Sequence, residues 1–198
     1  MGLAKASLPF GNELMLPRVA RRLGEVVDQL VVVAAAGQEI PPLPAAVSVV
    51  HDRRADRGPL EGLAAGLAAL PEQVEAAYVT ACDVPLLETR FVVRLFELLG
   101  EAAIAVPRVD GYHHPLSAVY RRSVLPEVEA LLAADRLRPF FLFERVATRE
   151  VAAEEWADVD PQSRTLANLN RPADYLAAAA EAGFEVPAEI RARLGGED

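Results

Sequence analysis

The stretch Leu30-Val31-Val32-Val33-Ala34-Ala35 is apolar at every position, with three β-branched residues in a row. Side chains alternate faces along a strand, so a run without polar interruptions needs cover on both sides. That condition is met inside a sheet sandwiched between helices. Other segments fit the same plan. Ala46-Val47-Ser48-Val49-Val50-His51 predicts a second short strand, and Ala76 to Cys82 a third, ended by Asp83-Val84-Pro85. Between them Leu60, Leu63, Leu67 and Leu70 step by three and four, the spacing of one helical face, from a start at Gly58-Pro59.

Residues 13–30 carry Val19, Leu23, Val26, Val27 and Leu30 on one helical face, with Pro17 tolerable near a first turn. The proline-rich stretch from Ile40 to Ala46 reads as a connector. Phe91, Val92, Leu95, Leu98 and Leu99 predict a helix over 89–99, stopped by Gly100. Residues 102–107 and 116–121 are strand-like around the turn Asp110-Gly111, a hairpin-type excursion. A helix over 123–134, a short aromatic helix near 139–144, a strand around 147–153 and one or two helices after Pro172 complete the reading. The Ala-rich stretch 177–198 reads as a peripheral helix. Strand and helix alternate, which predicts an α/β fold with a mostly parallel sheet and ligands at the carboxyl ends of its strands.

A length of 198 residues predicts one domain. A net charge of −9 argues against nucleic acid as a partner, because a duplex needs a clustered positive face. No apolar run approaches bilayer-spanning length, no signal peptide is discernible, and the single cysteine, Cys82, cannot close an internal disulfide. The expected location is the cytoplasm, without a membrane partner.

Three carboxyl-end loops carry residues suited to chemistry. Asp83 follows an apolar strand, where a carboxylate suits Mg²⁺ bridging phosphate oxygens; the same residue type also ends strands by a local turn hydrogen bond. The loop from Asp52 to Gly62 joins a strand to a helix start. Asp52 and Asp56 suit a ribose or base edge, and Arg53, Arg54 and Arg57 suit either phosphates or plain solvation. Lys5 is the only lysine in the chain and suits either a triphosphate or solvent. His113 and His114 are adjacent, so on a strand they face opposite ways and would not chelate one metal together. Cys82 reads as a small buried hydrophobe and Trp156 as a packing residue.

Five blocks, taken together, resemble one family. They are Gly2-Leu3-Ala4-Lys5-Ala6-Ser7-Leu8-Pro9-Phe10-Gly11, Gly58-Pro59-Leu60-Glu61-Gly62-Leu63, Ala81-Cys82-Asp83-Val84-Pro85-Leu86, His114-Pro115-Leu116-Ser117-Ala118 and Asn168-Leu169-Asn170-Arg171-Pro172. In order and spacing they look like the blocks of molybdenum cofactor guanylyltransferase, across nearly all of residues 1–176. The resemblance implies a Rossmann-like, three-layer nucleotidyltransferase fold. It implies transfer of GMP from GTP to molybdopterin-bound molybdenum, with Mg²⁺ as cofactor and pyrophosphate released. By position, Lys5 matches the family's phosphate-binding lysine, Asp52 a nucleotide-contacting residue, and Asp83 the Mg²⁺-binding aspartate. Lys5 and Asp83 are thereby the expected catalytic pair. Asn168 and Asn170 match an asparagine pair on the cofactor side, and His114 a substrate-side segment. Cofactor-delivery or acceptor proteins are further implied partners.

The chain departs from the family twice. The family opens with a strand and a Leu-x-Gly-Gly-x-Ser-x-Arg-Met-Gly loop, and Met1-Gly2 corresponds to the end of that loop. The expectation is a single nucleotidyltransferase-like domain over 1–198, truncated at its N-terminus relative to the family, with a start codon assigned too late. Second, Ala34 stands where the family has an asparagine, which leaves guanine against cytosine open. Alternatives are a relative using CTP or another phosphorylated acceptor, and a non-catalytic nucleotide- or partner-binding relative.

Overall fold

The computed structural model describes residues 4–195, so Gly2 and Leu3 of the first block lie outside the described residues. After a 3-10 turn at Lys5–Ser7, β1 (Pro9–Phe10) and β2 (Glu13–Leu14) form a minimal antiparallel hairpin ahead of α1 (Met15–Leu23). Then follow β3 (Leu30–Ala34), β4 (Val47–His51), α2 (Pro59–Ala69), β5 (Ala76–Thr80) and α3 (Thr89–Leu99). The second half comprises β6 (Ile104–Val109), β7 (Tyr112–His113), β8 (Ser117–Arg121), α4 (Leu125–Ala133), α5 (Phe140–Phe143) and β9 (Thr148–Ala152). Two helices, α6 (Pro172–Glu181) and α7 (Ala188–Leu194), close the chain. No helix among the described residues is long and apolar enough to cross a membrane.

The α/β expectation holds, with a mixed sheet where a mostly parallel one was expected. β3 and β4 pair in parallel, as do β6 and β9, but β8 inserts antiparallel between β5 and β6. The cause is the tight turn after β6. Asp110 and Gly111 both adopt positive φ, at 50° and 83°, which pairs Val109 with Tyr112 in a two-residue hairpin loop and sends the chain back toward β5. Both faces of the sheet are covered. Ile104, Val106, Ala118 and Tyr120 pack with Leu60, Leu63 and Leu67 of α2 and with Val128 and Leu131 of α4. Ala105, Val119 and Val151 point the other way, to Phe91 and Leu95 of α3 and to Trp156. The Trp156 ring meets Phe91 edge-on at 5.4 Å, the packing role expected for it.

β3–β4 and β5–β8–β6–β9 are separate ladders, and among the described residues no hydrogen-bonded pairing joins β3 to β5. A cavity of about 740 Å³ lies between them. The tail is less peripheral than expected: Tyr175, Ala178, Ala179 and Leu194 are buried against Leu8, Phe10 and Met15.

Candidate active site

The site is assembled where β5 ends. Ala81, Cys82 and Asp83 continue past Thr80, and Asp83 is only 5% exposed. Its main-chain carbonyl accepts the Leu169 N–H at 2.9 Å, which ties residues 168–170 to the strand end. Lys5 is held by its own 3-10 turn, whose buried Ala6 and Leu8 anchor it. Its ammonium donates to Asp83 Oδ2 at 2.6 Å and to Asn170 Oδ1 at 2.7 Å. Residues 78 and 165 positions apart thus share one cation. A lysine has three N–H donors, so one is left for a ligand.

The second oxygen of Asp83 is the unusual atom. Oδ1 is buried and has no hydrogen-bond partner among the described residues. An orphaned carboxylate oxygen costs desolvation energy that a structure does not ordinarily leave uncompensated. A hard divalent cation is the group an oxygen of this kind fits. Two arginines of α1 hold the loop beyond it: Arg18 Nε donates to Pro85 O at 2.9 Å, and Arg22 donates to Leu87 O at 3.1 Å. Nothing in the helical spacing of residues 13–30 marks these two as different from neighbouring Arg21, whose bonds among the described residues go to Glu13 and Glu25 rather than to that loop.

Asp52 lies on the rim of the cavity that also reaches Ala81 and Cys82, not in contact with Lys5. Its backbone N–H bonds Ala34 O at 2.9 Å, locking together the carboxyl ends of β3 and β4. The carboxyl's Oδ1 is buried and has no hydrogen-bond partner among the described residues. Burial, and secondarily the charge of Glu61, push its pKa above the ordinary aspartate value. Glu61, 4% exposed in the first turn of α2, is a residue that sequence reasoning passed over. Its signal is a lone carboxylate among Leu60, Leu63 and Ala64. The nearby arginines are largely committed: Arg53 reaches Glu129 at 3.2 Å and Arg57 pairs with Asp135 and Leu132 O, while Arg54 is exposed. Asp56, with φ of 59°, is exposed.

Asn168 contributes its carbonyl, which accepts the Asn170 N–H at 3.1 Å, and only the Asn170 side chain reaches Lys5. His113 and His114 separate: His113 Nε2 is 2.7 Å from Glu150 and packs on Phe143, while His114 is half-buried. Burial, then the neighbouring His113, hold the His114 pKa below the ordinary histidine value. No group of three or more His, Cys, Asp or Glu positioned for a metal occurs among the described residues. A cation here would lean on one carboxylate and on its ligand's oxygens, the manner of Mg²⁺. Burial, with the adjacent Asp83 charge, raises the Cys82 thiol pKa, which suits an inert half-buried side chain.

Residues 1–150 match the MobA-like NTP transferase domain. The chain is 35% identical over 191 residues to "Probable molybdenum cofactor guanylyltransferase" of Methanosarcina acetivorans, covering 88% of this chain and 82% of that one. Among solved structures it resembles molybdopterin-guanine dinucleotide biosynthesis protein A from Archaeoglobus fulgidus, with a TM-score of 0.75 at 20% identity over 92% of both chains. It also resembles 2-C-methyl-D-erythritol 4-phosphate cytidylyltransferase from Thermus thermophilus, with a TM-score of 0.69 at 18% identity over 90% of this chain and 93% of that one. A nucleotidyltransferase fold, a strand-end aspartate with a spare oxygen and a lysine drawn onto it converge on one assignment: the chain belongs to the MobA-like NTP transferase domain family.

Proposed function

We propose that this chain transfers GMP from GTP to molybdopterin-bound molybdenum, releasing pyrophosphate. The observation that carries the reading is the Lys5–Asp83–Asn170 cluster, with Asp83 Oδ1 buried and unpartnered at the carboxyl end of β5. In the reaction a terminal phosphate oxygen of the pterin attacks the α-phosphorus of GTP. The bond from that phosphorus to the bridging oxygen breaks, and pyrophosphate departs with the electron pair. The protein's part is to position and neutralise. Lys5 spends its free N–H on a phosphate oxygen and is kept in place by Asp83 and Asn170. Arg18 and Arg22 fix the loop that carries Asp83. Asp52 accepts from the ribose or base side of the nucleotide, and Asn168, Asn170 and His114 face the pterin. Mg²⁺ held by Asp83 would supply charge neutralisation on the phosphate oxygens when bound.

The test is pyrophosphate release from GTP and molybdopterin-bound molybdenum by protein purified from its native source. Asp83→Asn is expected to lower turnover by a factor on the order of 10² or more, as does loss of one preorganised electrostatic contact elsewhere. Unchanged release would refute the assignment. CTP in place of GTP tests the second reading, which Ala34 leaves open, since its buried methyl group at the end of β3 offers neither base a hydrogen bond. Nucleotide binding without any turnover would make the chain a binding relative.

A further inference from the structure

Arg57 fits neither role its residue type offered, a phosphate contact or a solvated charge. Of residues 53–59 it alone is not exposed. Its guanidinium donates to Asp135 Oδ1 and to the Leu132 carbonyl, 75 positions along the chain. Leu132 lies in the last turn of α4, and the same carbonyl accepts the Asp135 N–H at 3.2 Å. Asp135 has φ of 58° and the Arg136 N–H reaches Leu131 O at 2.9 Å, the left-handed closure that ends a helix. A cation is favoured at such a helix end. The side chain of Arg57 thus belongs to the end of α4, while its backbone belongs to the loop from Asp52 to Gly58.

Loop and helix end meet at a second point. A Cβ on Gly58 would lie 3.8 Å from Leu137 O, so the two backbones pass within contact distance. Beyond Leu137 the chain enters α5, whose Phe143 and Phe140 rings lie 5.1 Å and 6.3 Å from the ring of His113. His114 follows directly, its N–H bonded to Pro107 O at 3.0 Å. At its other end the loop begins at Asp52, whose N–H is fixed to Ala34 O. One guanidinium therefore links the stretch that carries Asp52 to the stretch that supports His113 and His114. Arg53 is no substitute, because its pair with Glu129 joins two half-exposed side chains, a contact of small worth.

We propose that Arg57 is a positioning residue: it sets the Asp52 loop and the α4–α5 connection against each other, so that one side chain aligns both substrates and touches neither. This rests on the reading of Asp52 as a nucleotide-side residue and His114 as an acceptor-side one. Lys5, Asp83 and Asn170 hold one another without it. Loss of Arg57 accordingly spares the chemical step and loosens binding on both sides at once.

The experiment compares Arg57→Gln with the unaltered chain in pyrophosphate release and in amide hydrogen exchange. The KM values for GTP and for molybdopterin-bound molybdenum are both expected to rise on the order of tenfold, with kcat held within about twofold. A rise confined to one KM, or a loss carried by kcat, overturns the proposal. Without substrates, the hydrogen-bonded amides of Asp52, Arg136 and Phe141 are expected to exchange faster together. Faster exchange at Arg136 alone marks a local helix cap and overturns it as well. Adding Asp135→Gly separates position from stability. Glycine takes the left-handed φ without strain and removes the carboxylate left unpaired, so the double variant should regain Tm while both KM values stay high. KM values that recover with Tm would refute the positioning role. An unaltered chain that releases no pyrophosphate refutes the reaction instead, and the amide comparison then decides whether Arg57 joins the two stretches.

Discussion

Asp83 has two unlike oxygens, one held by Lys5 and one with nothing to hold, and that asymmetry separates its structural from its chemical role. Asn at this position keeps an oxygen for Lys5, so Asp83→Asn should cost little stability while removing activity. Lys5→Ala instead strands a buried carboxylate. It should lower stability by about 1–2 kcal/mol, less than a fully enclosed pair because Lys5 remains 31% exposed, as a urea midpoint would register. Asp52 behaves differently. Burial and Glu61 raise its folded pKa, so the folded state holds a proton more readily than the unfolded one. Its contribution favours folding below the unfolded value near ~3.9 and is lost as pH rises through the folded value. Asp52→Asn should therefore raise Tm at pH 7 and weaken nucleotide binding, with the Tm gain vanishing below about pH 4. An equal or lower Tm at pH 7 would contradict this. At this scale Lys5, Asp52 and Asp83 could be named from strand ends and block resemblance. Glu61, Arg18 and Arg22 could not, since their meaning arises only when α1 and α2 dock beside particular loops.

Among the elements, those with a strong apolar period were legible. α3 spans Thr89–Leu99 and β3 spans Leu30–Ala34, close to their periodic runs. α1 stops at Leu23, although Val26, Val27 and Leu30 continue its spacing: Val26 and Val27 reach the same cluster from the turn after Gly24, and Leu30 from the start of β3. The β1–β2 hairpin left no trace, since two-residue strands have no period to read. Its turn shows how the tail is fastened. Gly11 has φ of +66°, and a Cβ there would lie 2.8 Å from the Phe184 ring. That ring meets Phe10 edge-on at 5.4 Å, with Arg18 over both. Gly11→Val should destabilise by about 1–3 kcal/mol through strain and overpacking, and limited proteolysis should then cut first between α6 and α7. A wild-type cleavage pattern would argue that the tail docks without this contact.

For the whole molecule, the β-branched run at Leu30–Ala34 demanded two-sided cover. The helices provide it in part: Leu30 joins the cluster on α1 and Val31 the one on α2, and within β3 only Ala34 is fully buried. Pairing partners, not periodicity, reveal how the strands are ordered, and the Asp110-Gly111 turn is what sends β8 antiparallel to its neighbours. The lysine that grips Asp83 is also the only one among the 198 residues. Feeding cells isotopically enriched lysine would thus label, within these 198 residues, a single side chain, the one bonded to Asp83 and Asn170. The site carries its own reporter, read without mutating anything.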